Sequence, residues 1–173
     1  MNGWVFQLYL VHFRVGFMFI YFVIKVVISL ALIGIVISKR KNVTLFEILA
    51  LYLLSSSVLV ILQNIVSLNM ELLTYKKTLL PGLIQHLDHI IVIPCLTLLL
   101  FYNYKNSKIN IVISYFLTLI WASIYIGNVL LNKEMEVVKF KGWNVLIGYI
   151  EAFVLLICLF IIYLISGSIK RGN

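Results

Sequence analysis

The chain has 173 residues, 63% of them hydrophobic and 12% charged, with a formal net charge of +8, and its mean hydropathy is +1.10. Soluble domains are about 45–50% apolar and about 25% charged, so this composition excludes the ordinary soluble classes and leaves a membrane-embedded one. The positive charge does not point to nucleic acid, because the basic residues gather at the ends of apolar stretches, where they face lipid headgroups and set orientation.

Five apolar runs organise the chain: 15–38, 44–68, 83–102, 110–131 and 143–166. A helix needs about 20 residues to cross a hydrocarbon core about 30 Å thick, so each run predicts a span. The fold expected is therefore all-α, a polytopic bundle of five transmembrane helices forming one domain over residues 1–173. No connecting segment is long enough for a soluble domain.

Ahead of the first run, residues 2–14 are aromatic and of mixed polarity. Trp4, Tyr9, His12 and Arg14 suit an interfacial segment. The alternative is one long helix from about residue 4. This stretch lacks the positive start of a cleavable signal, and Lys25 interrupts what would be its apolar centre, so the first run is expected to be retained. The basic connection Ser38–Asn42 follows. Thr44 and Glu47 then have the T-x-x-E spacing of a capping box, in which each side chain satisfies a free amide at a helix start. Pro81-Gly82 predicts a sharp break before the third span, and Pro94 predicts a kink within it, since proline removes a backbone donor. Residues 102–108 form a short turn, and 132–142 is the most charged connection. Trp143 is expected to anchor the last span at the interface. Cys95 and Cys158 fall within apolar runs and predict packing residues, not a disulfide.

With five spans the connections alternate sides. The side of 39–43, 103–109 and the tail carries seven Lys and Arg residues, against six on the other. The cluster Lys39-Arg40-Lys41 lies at the first hairpin, where the positive-inside rule acts most strongly, and predicts the N-terminus outside and the C-terminus inside.

The polar residues stranded inside the runs fall at one depth. Measured from the N-terminal face, Lys25, His86, Asp88, His89 and Glu151 lie in the near half of rising spans. Gln63, Asn64 and Asn128 lie near the ends of descending ones. Helical spacing aligns them on shared faces: Tyr21, Lys25 and Ser29; Ser56, Gln63 and Ser67, with Ser57 and Asn64 beside them; Gln85, Asp88, His89 and Val92; and Asn144, Gly148, Glu151 and Ala152. The fourth run offers Ser114, Thr118 and Ala122 as a small stripe, and Ser123 with Gly127 as a close-packing pair. A central intramembrane Lys or Asp costs about 2.5–3.5 kcal/mol, so the charged members are expected to find one another or water. Lys25 can neutralise only one of Asp88 and Glu151. The other is left to bind a proton, to pair with a protonated His86 or His89, or to face water.

The chain lacks G-x-S-x-G, H-E-x-x-H, Walker A and G-x-G-x-x-G patterns. His86 and His89 have no second histidine-rich segment to complete a metal site. No cofactor or metal is expected. The polar residues therefore predict either a structural core in a non-enzymatic accessory or sensing protein, or the site of a small proton-coupled carrier or membrane-embedded enzyme. The bilayer, and a membrane-protein partner or a second copy, are the partners expected.

From about Leu83 to Ile165 the layout resembles a family of small five-span membrane proteins of low-GC, spore-forming Firmicutes. The resemblance lies in the polar start of the third span, in Ile93-Pro94-Cys95, and in Gly142-Trp143-Asn144 before the last span. That family has no assigned activity. The resemblance implies the five-span fold and a bacterial cytoplasmic membrane, and transfers no functional residue.

Overall fold

A computed structural model describes the backbone of residues 3–39, 45–106 and 111–171, and the side chains of 15–39, 45–103, 113 and 115–161. Helix α1 runs unbroken over Gly3–Ser38 (36 residues), about 54 Å at 1.5 Å per residue. The mixed-polarity segment and the first apolar run are thus one helix. Its buried residues, Tyr21, Lys25, Ser29, Leu32 and Val36, form a single stripe at helical spacing.

Helix α2, Leu45–Asn64, continues into a π-helical turn, Ile65–Asn69. Thr44 lies outside the described residues, so of the expected capping box only Glu47 is placed, in the first turn. There a carboxylate complements the helix dipole.

The third span is built from α3 (Leu79–Leu87), a π turn (Asp88–Val92) and α4 (Ile93–Asn106). The sharp break expected at Pro81-Gly82 is absent, since α3 runs through both residues. Pro81 occupies the first turn of α3, where no intrahelical amide bond is lost. The disturbance expected from Pro94 takes the form of the π turn, in which the Ile93 amide reaches back to the Asp88 carbonyl. Pro94 itself has no amide to offer the preceding turn. Helix α5 covers Ile111–Glu134 and α6 covers Val145–Arg171.

Among the described residues, four stretches are long and apolar enough to cross a membrane: Val15–Ser38, Leu45–Asn69, Leu79–Asn103 and Tyr115–Glu134. Helix α6 is apolar over Val145–Ile161, the part of it whose side chains are described. Helices α2 and α5 each pack on both α4 and α6, and α1 lies against α3 and α4. Leu59, Leu98, Ala122, Ala152, Leu155 and Leu159 fill the centre.

The helical fold carries one addition not expected from the sequence. The connections 70–78 and 135–144 pair through two short strands, β1 (Leu73–Tyr75) and β2 (Val138–Phe140). They are antiparallel, with Leu73 opposite Phe140, Thr74 opposite Lys139 and Tyr75 opposite Val138. Opposed residues share a face. The first and last pairs are buried or half-buried, while Thr74 and Lys139 are exposed.

Both strands are launched in the same way. Glu71 and Glu136 hold left-handed backbone conformations, with φ of 52° and 54°. At the end of α5 the Val137 amide bonds the Asn132 carbonyl at 2.8 Å and the Glu136 amide bonds the Lys133 carbonyl at 2.9 Å. This is a Schellman ending with Glu136 in the place usually given to glycine. After Asn69 the Leu72 amide bonds the Val66 carbonyl at 3.0 Å, a wider version of the same turn. Each glutamate then meets a lysine of the other connection: Glu136 with Lys76 at 3.4 Å, and Glu71 with Lys141 at 3.7 Å.

Candidate functional site

The buried polar residues lie beneath this small sheet and divide into two networks. The first is centred on an ion pair. Lys25 Nζ is 2.7 Å from Asp88 Oδ1, with both side chains almost wholly buried. The ammonium also donates to Asn128 Oδ1 and lies 5.2 Å from the centre of the Tyr21 ring. Asn132 Nδ2 donates to the second Asp88 oxygen at 2.8 Å. Asn132 Oδ1 in turn accepts from the Tyr21 hydroxyl at 2.8 Å. Both carboxylate oxygens and both ends of the Asn132 amide are therefore occupied. Three elements contribute: α1, the π turn and the last two turns of α5.

The second network has no cation among the described residues. Glu151 is buried on α6. Its Oε1 accepts from the Trp143 indole at 3.1 Å and its Oε2 from the Tyr125 hydroxyl at 3.2 Å. Tyr125 accepts from Gln63 Nε2 at 3.1 Å, and Gln63 Oε1 accepts from the Tyr75 hydroxyl. Donors thus run from the sheet inward to one carboxylate. Local structure sets the geometry. Asn144 caps α6 by accepting from the Ile147 amide at 3.0 Å. The Trp143 ring folds back over Gly148, where an added Cβ would lie 2.5 Å from the ring. Only glycine leaves room for that indole.

Tyr75 stands between the networks. Burial pushes its phenol well above the ordinary value, and the carboxylates of Glu151 and then Asp88 add to the rise. Its ring meets His89 edge-on, with centroids 6.2 Å apart. The two π turns flank the same layer, one beginning at Asp88 and the other following Gln63 and Asn64. Departures of this kind are over-represented at functional sites.

Of the residues selected from sequence, the structure brings Lys25, Asp88 and Asn128 into the first network, and Gln63 and Glu151 into the second. His89 is half-buried against Tyr75. Asn64 and His86 are exposed and join neither. Asn144, expected on the interior face, is exposed and acts as a cap. Trp143 is buried and serves Glu151, so it is not the interfacial anchor the sequence suggested. Ser123, expected to form a close-packing pair with Gly127, is exposed, with its hydroxyl 3.5 Å from that of Tyr149 on α6. The Ser114 side chain lies outside the described residues.

Sequence reasoning passed over Tyr75, Tyr125 and Asn132. The signal for the last two was present: Trp121, Tyr125, Asn128 and Asn132 recur at i, i+4, i+7 and i+11, one face of α5. The small stripe ending at Ala122 drew attention to a neighbouring face.

A separate cleft of about 550 Å³ opens between the start of α1's apolar stretch and the start of α3. Val15, Met18, Leu79, Leu80 and Pro81 wall it, with Lys76 and Glu136 beside them. None of the residues of either polar network lines it. No family model, curated protein or solved structure matches the chain.

Proposed function

We propose that the chain is a five-span integral protein of a bacterial cytoplasmic membrane, N-terminus outside and C-terminus inside, acting as a non-enzymatic accessory or sensing component. Helix α6, with 27 residues, supplies the length for the fifth span. The basic cluster after α1 supports the orientation. The resemblance to the Firmicutes family supports the compartment.

One observation carries the non-enzymatic reading. Lys25, Asp88, Asn128, Asn132 and Tyr21 satisfy one another across three elements. A transport or catalytic site keeps at least one charged group directed at a ligand, whereas these charges are consumed by packing. Buried ion pairs of this kind hold helices in one register more than they add stability.

The rival reading, a small proton-coupled carrier, rests on Glu151, a buried carboxylate with hydrogen-bond donors and no cation among the described residues. Proteoliposomes loaded with a pH-sensitive dye separate the two. The accessory reading expects proton flux under an imposed gradient no faster than in protein-free vesicles. A protein-dependent flux abolished by Glu151→Gln would replace it with the carrier.

A further inference from the structure

We propose that Glu151 senses protons and that its state is passed to the β1–β2 sheet through Tyr125, Gln63 and Tyr75. This role rests on the sensing function proposed for the chain and names its stimulus.

The carboxylate is buried, yet it lies only six residues beyond the start of α6 at Val145, about 9 Å along the helix. Among the described residues only neutral donors, the Trp143 indole and the Tyr125 hydroxyl, reach it. The groups that face it are few. Helix α2 presents Gln63, which carries no charge, α5 presents Tyr125, and the sheet presents Tyr75. Asp88 and His89 lie beyond Tyr75, and Asp88 is matched with Lys25.

The chain of hydrogen bonds has one direction. Tyr75 donates to Gln63, Gln63 to Tyr125, and Tyr125 to Oε2 of Glu151, while Trp143 donates to Oε1. A proton taken up by Glu151 breaks this order. An indole can only donate, so the acid proton belongs on Oε2, where it turns Tyr125 from donor to acceptor. The Tyr125 hydrogen then needs a new acceptor, and Gln63 Oε1 provides one once its amide turns over. Gln63 Nε2 then faces the Tyr75 oxygen, and the Tyr75 hydrogen has no acceptor left in the chain. The surplus donor therefore emerges at the sheet. Tyr75 is half-buried, whereas Gln63, Tyr125 and Glu151 are buried. An unpaired donor in the interior is costly, so Tyr75 turns toward water and β1 loses its tie to α2. Strand β2 shares the dependence, because Phe140 rests on the Trp143 ring with centroids 4.5 Å apart.

Hydrogen–deuterium exchange of the full chain in detergent, corrected for the intrinsic pH dependence of exchange, tests this. On acidification the peptides carrying Leu73–Tyr75 and Val138–Phe140 should exchange about fivefold faster, the scale of one hydrogen bond. Tryptophan fluorescence should change over the same pH interval. Glu151→Gln keeps an acceptor for Trp143 and sets a donor toward Tyr125, as the acid does, so its sheet should exchange at the fast rate at every pH. Tyr75→Phe should remove the pH step from the sheet and leave the fluorescence step in place. A wild-type sheet without a pH step would overturn the proposal. So would a step that survives in Glu151→Gln, which assigns it to another group such as His89, or one that survives in Tyr75→Phe. Should Glu151→Gln fail to fold, wild type and Tyr75→Phe decide. Proton flux in proteoliposomes bears on the accessory function and sheet exchange on the sensor, so each fails on its own measurement.

Discussion

Lys25 and Asp88 meet at 2.7 Å in the interior, while Glu151 accepts hydrogen bonds from Trp143 and Tyr125 and meets no cation among the described residues. Two carboxylates under one small sheet have thus been given different partners, one a charge and the other a set of neutral donors. The difference follows from placement: Lys25 projects from α1 toward the π turn that begins at Asp88, and α1 lies against α3 and α4.

Removing the cation tests the pairing. Lys25→Met should destabilise the protein by about 3–5 kcal/mol, because it strands Asp88 away from water. Adding Asp88→Asn should recover part of the loss, since the remaining neutral groups no longer demand solvation. Adding Glu151→Gln instead should not. Thermal unfolding in detergent of the singles and both doubles gives the coupling. Equal coupling to both carboxylates would show that Lys25 serves them jointly.

Asn132 bridges Tyr21 and Asp88 with both ends of its amide. Asn132→Ala should cost about 1–3 kcal/mol for the partners left unsatisfied. Asn132→Asp should cost more than the alanine, because it sets a second carboxylate beside Asp88. A ranking with the alanine as the worse variant would sink this account of the bridge.

Gly148 and Trp143 are a matched pair. Gly148→Ala should push the indole off Glu151, since the new Cβ would lie 2.5 Å from the ring. Near-ultraviolet circular dichroism should change for Gly148→Ala, and Trp143→Phe should lose about 1–3 kcal/mol through its missing donor. An alanine variant with an unchanged aromatic signal would mean that the ring and helix have room to separate.

Glu71 sits at φ 52° and is exposed. A non-glycine residue in that region costs about 1–2 kcal/mol. Its 3.7 Å contact with Lys141 is between exposed groups and returns less than that. Glu71→Gly should therefore leave stability unchanged or raise it slightly. A clear fall in melting temperature would assign Glu71 a larger part in holding the two connections together.

Orientation is tested by single cysteines in a background lacking Cys95 and Cys158. Position 139, exposed on β2, should react with an impermeant reagent added outside, and position 107 should not. The reverse pattern would invert the protein in the membrane.

Much of this architecture was legible because hydropathy and helical period are strong local signals. The runs anticipated the helices, and the Tyr21, Lys25, Ser29 stripe emerged as the buried face of α1. What escaped was non-local. Nothing in Leu73–Tyr75 or Val138–Phe140 marks them as strands when each is taken alone. Three residues form a strand only when another three are brought beside them. Trp143 looked like an interfacial anchor because tryptophan next to a charged connection usually is one. The absence of a side chain at Gly148, five residues later, allows it to fold inward. His86 and Asn64 were misplaced for a related reason: polar residues adjacent in sequence to Asp88 and Gln63 share their depth but not their face.

The pairing of Leu73 with Phe140 also sets an order of assembly. Strand β1 leaves the ribosome well before its partner, and α3, α4 and α5 must all be placed before β2 exists. Until α5 is placed, Tyr75 and Gln63 have no Tyr125 to complete their chain of donors, and Asp88 lacks Asn132. Each later helix brings the polar partners that an earlier one lacked. The polar interior is therefore complete only once α6 has packed, and a chain halted before α6 leaves the Tyr125 hydroxyl without Glu151.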